Sequence, residues 1–126
     1  MGSAQEHLAI ADRLFRSIEQ GDIEAVRRLY SPNARIWHNT DGVAQTVDQN
    51  LATLAWVVAN IKDLRYTEVR REPTPDGFVQ QHVLGGRLKS GGEFVLPACI
   101  VVKIENGMIV RLDEYLDSAK TAELRD

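Results

Sequence analysis

A few residues in this chain could move a proton or hold a polar group, and their spacing says which chemistry each would suit. His38 stands in the alternating run Ala34-Arg35-Ile36-Trp37-His38-Asn39. An imidazole titrating near about 6.5 suits a general base at neutral pH; the other reading is a buried histidine bonded to a neighbour. His82 follows Gln80-Gln81 inside a β-forming stretch. Three hydrogen-bonding side chains in mid-strand require one face of that strand to be a polar pocket or a wet interface. Glu114 lies between Leu112 and Leu116. On such an apolar face, burial would raise its pKa and make it an acid or a histidine's partner. A one-residue slip would turn Asp113 inward in its place. Cys99 reads as a small buried apolar residue, or as a nucleophile if a neighbour such as His82 lowers its pKa. Two histidines, a cysteine and a glutamate could also ligate a metal, but they come from separate elements with no close-spaced ligand pair. No phosphate loop, nucleophile elbow or cofactor fingerprint is present, so neither cofactor nor metal is expected.

The elements that must position these groups follow from periodicity. Leu8, Ala11, Leu14, Phe15 and Ile18 recur at helical spacing, and Gly21 ends that helix. Asp22 is a good N-cap for a short second helix through about Tyr30, stopped by Ser31-Pro32. A strand over 34–39 precedes the turn Asn39-Thr40-Asp41-Gly42. Thr46-Val47-Asp48-Gln49 has the form of a capping box and opens a helix with Val47, Leu51, Leu54, Val58 and Ile61 on one face. Beyond Ile61 the period becomes two, predicting strands over 64–73, 77–88, 92–105 and 108–117. Helices first and an antiparallel meander afterwards make an α+β layer fold, one domain spanning 1–126.

Composition narrows the classes. A net charge of −3 with only short basic pairs, Arg27-Arg28 and Arg70-Arg71, disfavours a nucleic-acid partner. The lone Cys99 forms no internal disulfide, no apolar run reaches a membrane span of about 20 residues, and no leader pattern opens the chain. The expected location is the cytoplasm.

Gly21-Asp22-Ile23-Glu24-Ala25, Leu29-Tyr30 and the 34–39 strand, read with Gly107-Met108-Ile109 and Glu114-Tyr115-Leu116-Asp117, resemble the nuclear-transport-factor-2-like superfamily. Its members include ketosteroid isomerases, limonene-epoxide hydrolases and SnoaL-like polyketide cyclases. The resemblance implies a cone: a curved antiparallel β-sheet wrapped over three N-terminal helices, of the cystatin-like type. Laid on Gly21–Ala25, the ketosteroid isomerase pattern puts that family's proton-shuttling carboxylate at His38. Its oxyanion-hole tyrosine falls on Leu14 and, counting back from Gly107, its protonated aspartic acid falls on Cys99. Leu14 donates nothing and a thiol donates weakly, so steroid isomerisation by the family's mechanism is not expected.

That register sends Gln80, His82, Leu84 and Gly86 inward, then Pro97, Cys99 and Val101, then Leu112, Glu114 and Leu116. His38, His82, Cys99 and Glu114 should then converge among Leu14, Phe15, Leu54, Val58, Leu84, Leu112 and Leu116, with Trp56 and Phe15 able to fill the space. Limonene-epoxide hydrolases hold water with a tyrosine and an asparagine where this chain has Trp37 and Asn39. SnoaL-like cyclases take an acid–base aspartate from the last strand, which keeps Asp113 a candidate beside Glu114.

The expected function is cofactor-independent acid–base chemistry on a small apolar carbonyl or polycyclic compound, as an isomerase, a cyclase-type lyase or a hydrolase. His38 is the expected base, with His82 and Glu114 orienting it or returning the proton. The alternative is a non-catalytic ligand-binding or dimerisation module of the same fold. A homodimer is expected through the convex sheet face, assigned Trp37, Val79, Val83, Val95, Ile100, Val102, Ile104 and Val110.

Overall fold

The computed structural model describes residues 2–121, so the expected span 1–126 runs beyond the described residues at both ends. Ser3 opens the first helix, α1 (Ala4–Glu19), by accepting from the Glu6 amide at 3.1 Å. The apolar stripe Ile10, Ala11, Leu14, Phe15 and Ile18 is buried along its inner face. Gly21 takes the left-handed φ of 72° that ends α1, and Asp22 then caps α2 (Ile23–Leu29) through the Ala25 amide. The capping box of α3 (Val47–Asn60) is present in full, with Thr46 and Gln49 bonded reciprocally at 2.9 and 3.3 Å.

Six strands form one curved, unclosed sheet: β1 (Tyr30–His38), β2 (Ala44–Gln45), β3 (Ile61–Thr74), β4 (Gly77–Leu88), β5 (Glu93–Glu105) and β6 (Met108–Leu116). Their order is β2-β1-β6-β5-β4-β3. The sheet is mixed rather than wholly antiparallel, because β1 runs parallel to β6. A last short helix, α4 (Ser118–Thr121), follows the sheet. The helices lie on the concave face, where Phe78, Phe94, Ile36, Ile109 and Leu14 are the largest apolar side chains removed from water. Among the described residues, no helix is long and apolar enough to cross a membrane.

Register decides which side chains enter that concavity. The β3–β4 ladder shifts twice, between Lys62 and Arg65 and between Thr67 and Arg70, with Asp63 and Glu68 at positive φ. These bulges bend the longest strand around the helices. The β5–β6 hairpin turns at Asn106-Gly107, both at positive φ, as a two-residue turn of type I′ requires. Its pairing then steps from Ile104↔Ile109 to Lys103↔Arg111, skipping Val110.

That skipped residue overturns the inward assignment of Pro97, Cys99 and Val101. Beyond the bulge, Ile100 pairs with Glu114 and Val102 with Leu112, so even-numbered residues of both strands share a face. Ile100, Val102 and Ile104 are buried in the core at 2%, 1% and 5% exposure, not on the convex face where the alternation had set them. Of the other convex residues, Val95 is exposed, Trp37, Val79, Val83 and Val110 are partly so, and Val69 and Tyr115 add exposed apolar surface.

Candidate functional site

Between the helices and the concave face lies a cavity of about 460 Å³, lined mainly by apolar side chains. Leu14, Phe15 and Ile18 come from α1; Leu54, Trp56 and Val57 from α3; Ile36, Leu64, Leu84, Phe94, Leu96, Ile100, Leu112 and Leu116 from the sheet. Its polar wall is formed by His38, Glu114, His82, Tyr30 and Tyr66, with Thr40, Asp41, Gln45, Asn50, Thr53 and Thr121 completing the lining.

The parallel pairing of β1 and β6 is the reason two of these groups meet. His38 and Glu114 are register partners on adjacent strands, both facing inward. His38 Nε2 lies 3.0 Å from Glu114 Oε1, and both side chains are about one-fifth exposed. The Glu114 hydrogen bond raises the His38 pKa above its ordinary value; burial opposes it, and the charges of Glu114 and Asp41 reinforce it. The two groups thus stand in direct hydrogen-bond contact on the cavity wall.

His82 enters from β4, two residues beyond Gln80, whose Nε2 lies 2.9 Å from His82 Nδ1. Burial is the main cause that lowers the His82 pKa; the Glu114 charge opposes it and the Arg71 charge adds to it. The imidazole is therefore neutral at neutral pH. The ring packs edge-on to Tyr66 and Phe15, with centroids 4.7 and 5.6 Å away.

Tyr30 and Tyr66 were not anticipated. Burial, reinforced by the nearby Glu114 charge, raises both phenol pKa values, so both hydroxyls stay protonated donors. The chain thus has phenolic donors facing its cavity even though Leu14 supplies none. Tyr66 was within reach of simple alternation from Leu64 on a recognised strand. Tyr30 was assigned to the end of α2, whereas it opens β1.

Several residues proposed as ligand contacts stand elsewhere. Trp37 faces the convex side and packs on Tyr115, ring centroids 5.4 Å apart. Asn39 ties β1 to β6 by bonding both backbone groups of Leu116 at 2.9 and 3.1 Å. Val58 lies beneath Gly21, and Val57 takes its place on the cavity wall. Gln80 sits wholly buried behind His82 rather than on the wall. Cys99 is on the convex face for the register reason given above and does not line the cavity that holds His38 and Glu114. Asp113, the alternative to Glu114, also faces outward and binds Arg111 Nε at 2.7 Å. Among the described residues, no three His, Cys, Asp or Glu side chains form a cluster able to hold a metal ion.

The SnoaL-like domain model matches residues 11–112. That is most of the chain, which therefore belongs to the SnoaL-like family. Solved structures agree on the fold. A proposed polyketide cyclase from Xanthomonas campestris pv. campestris superposes with a TM-score of 0.83 at 15% identity, covering 97% of this chain and 99% of that one. A proposed SnoaL-like polyketide cyclase from Jannaschia sp. CCS1 gives 0.81 at 17%, covering 95% and 91%. A Catenulispora acidiphila protein with a ketosteroid isomerase-like fold, in complex with trimethylamine, gives 0.74 at 18%, covering 84% and 83%. No curated protein sequence matches the chain.

Proposed function

We propose that the protein catalyses cofactor-independent proton transfer at a carbon atom of a small, largely apolar carbonyl compound, in the manner of an isomerase or cyclase. The observation that carries this reading is the 3.0 Å contact between His38 and Glu114 on the wall of an apolar cavity. With the pair deprotonated overall, His38 takes a proton from carbon, and Glu114 stabilises the imidazolium that forms. The same imidazolium then returns a proton to carbon or to oxygen. A cavity of about 460 Å³ with aliphatic and aromatic walls suits a small polycyclic substrate, since apolar burial gives affinity and a few polar groups give orientation.

Deuterium uptake tests the reading without knowledge of the natural substrate. In D2O, the wild type should accelerate exchange of the acidic α-protons of 2-tetralone, followed by NMR, and His38→Ala should abolish the acceleration. Equal exchange by both proteins removes His38 from the chemistry.

A non-catalytic ligand-binding role is the second reading, favoured by the buried Leu14 standing where the family resemblance puts a hydroxyl donor. Tight 2-tetralone binding with no exchange would establish it. We propose in addition that two copies pair through the convex face, whose exposed Val69, Val95 and Tyr115 form an apolar surface beside Trp37 and Val83.

A further inference from the structure

Arg71, Gln80 and His82 form a hydrogen-bonded chain that the His38–Glu114 pair does not use. Arg71 and Gln80 are register partners on β3 and β4. The guanidinium Nε–H donates to Gln80 Oε1 at 2.6 Å, and Gln80 Nε2 lies 2.9 Å from His82 Nδ1. Gln80 is 0% exposed, so water cannot substitute for either partner.

The donor inventory fixes every orientation in this chain. A guanidinium has donors only, so the Gln80 carbonyl oxygen must face Arg71. The amide NH2 must then face His82, and Nδ1 must accept. A proton on Nδ1 would set two donors against each other in a dry site, at the full cost of burying unmade hydrogen bonds. The ring proton therefore sits on Nε2. Among the described residues no acceptor meets that Nε2–H, and the ring lines the same cavity as His38 and Glu114. Tyr66 and Phe15, packed edge-on at interplanar angles of 81° and 63°, restrain the ring. Arg71 is held over the Phe15 ring at 5.5 Å from its centroid, which ties the far end of the chain to the same aromatic cluster.

We infer that His82 presents a fixed, neutral Nε2–H to the substrate's carbonyl oxygen, with Gln80 and Arg71 as positioning residues that lock its tautomer. The inference rests on the proton-transfer reading above and narrows its substrate to a ketone or ester with an acidic C–H α to the carbonyl. His38 takes the α-proton, the C–H electron pair forms the carbon–carbon double bond of the enolate, and the carbonyl π pair moves onto oxygen. The His82 Nε2–H hydrogen-bonds that oxygen without giving up its proton. The step closes in one of two ways. Either the imidazolium returns the proton to carbon as the double bond shifts back, or the enolate carbon attacks a second carbonyl of the same molecule and the new alkoxide takes the proton. A neutral imidazole suits this work better than an imidazolium, which would tend to surrender its proton to the enolate.

The test uses [15N]histidine-labelled full-length protein and two-bond 1H–15N correlations. The three histidines are assigned with His7→Gln and His38→Gln variants. Wild-type His82 should show an unprotonated Nδ1 and a protonated Nε2 at pH 7; an Nδ1–H tautomer or an imidazolium overturns the inference. Gln80→Glu replaces the NH2 donor with a carboxylate, so Nδ1 should become protonated. Binding of 2-acetonaphthone, whose carbonyl oxygen can only accept, should then weaken roughly tenfold, about one hydrogen bond to a polarised oxygen. Naphthalene, lacking that oxygen, should bind both proteins alike. Equal loss of both probes, or loss of neither, overturns the inference, and the wild-type tautomer decides it should the variant not fold. If the tautomer and the discrimination between 2-acetonaphthone and naphthalene hold while wild-type 2-tetralone exchange is absent, the fixed donor stands and the proton-transfer reading falls.

Discussion

Replacing Gln80 with leucine tests the buried polar chain by its energy. The substitution conserves shape approximately but removes the bonds at 2.6 and 2.9 Å, leaving Arg71 Nε and His82 Nδ1 without partners. Each unpartnered group costs about 1–3 kcal/mol when buried. The Arg71 side chain is 21% exposed, so water recovers part of its loss and the low end applies there. The sum is about 2–4 kcal/mol, or a fall of roughly 10 °C in Tm for a domain of this size. Arg71→Leu alone strands the Gln80 carbonyl oxygen and loses the contact with Phe15, at about 1–3 kcal/mol. The double variant strands neither the guanidinium nor the carbonyl. Its cost should therefore fall short of the sum of the singles by about 1–2 kcal/mol. Urea unfolding of the four proteins, with midpoint and m-value fitted together, measures this coupling. Additivity within about 0.5 kcal/mol would refute the reasoning, because independent sites add and a shared chain does not.

Other outcomes follow from the same geometry. Gly77→Ala should be strongly destabilising, by more than about 3 kcal/mol in urea, because a Cβ there would run into the Val102 carbonyl oxygen, a backbone atom that cannot swing aside. Asp113→Asn should leave 2-tetralone exchange unchanged, since Asp113 binds Arg111 on the convex face; loss of exchange would place the wrong strand face in the cavity. The wild type should sediment as a homodimer at micromolar concentration and Val95→Lys should shift it towards monomer, Val95 being 42% exposed on the convex face. A monomeric wild type would remove that proposal.

Much of the fold was legible because its local signals agree. The Ser3, Asp22 and Thr46 caps, the left-handed Gly21 and the Asn106-Gly107 turn each mark an element boundary that the chain observes. His38, Leu84, Leu112 and Glu114 were placed by alternation from one anchor, which works wherever a strand keeps its period. It failed on β5 because the count ran back from Gly107 through a two-residue turn, and the extra Val110 changes parity. Nothing in Met108-Ile109-Val110-Arg111 announces a bulge. The other end of β5 carried a usable signal: Leu88 bonds to Gly92 across three intervening residues, which pairs even positions with even ones. Applied there, that rule would have put Leu96 and Ile100 inward and Cys99 outward. Tyr30 escaped notice because the helix signal ran up to Ser31-Pro32, although Ser31, directly before proline, is already drawn to extended geometry.

The pH dependence of deuterium exchange tests the central claim, that His38 and Glu114 act as one proton-transfer pair. The Glu114 hydrogen bond raises the His38 pKa, so the pair accepts a proton from carbon only above that raised value. The wild-type rate should climb with pH through a single acid limb lying above the ordinary imidazole value of 6.5. In Glu114→Gln the largest upward cause is gone and burial is left to push the imidazole down. The acid limb should then move to lower pH and the plateau rate should fall. A limb at the same pH in both proteins would contradict the pairing, whatever happened to the rate.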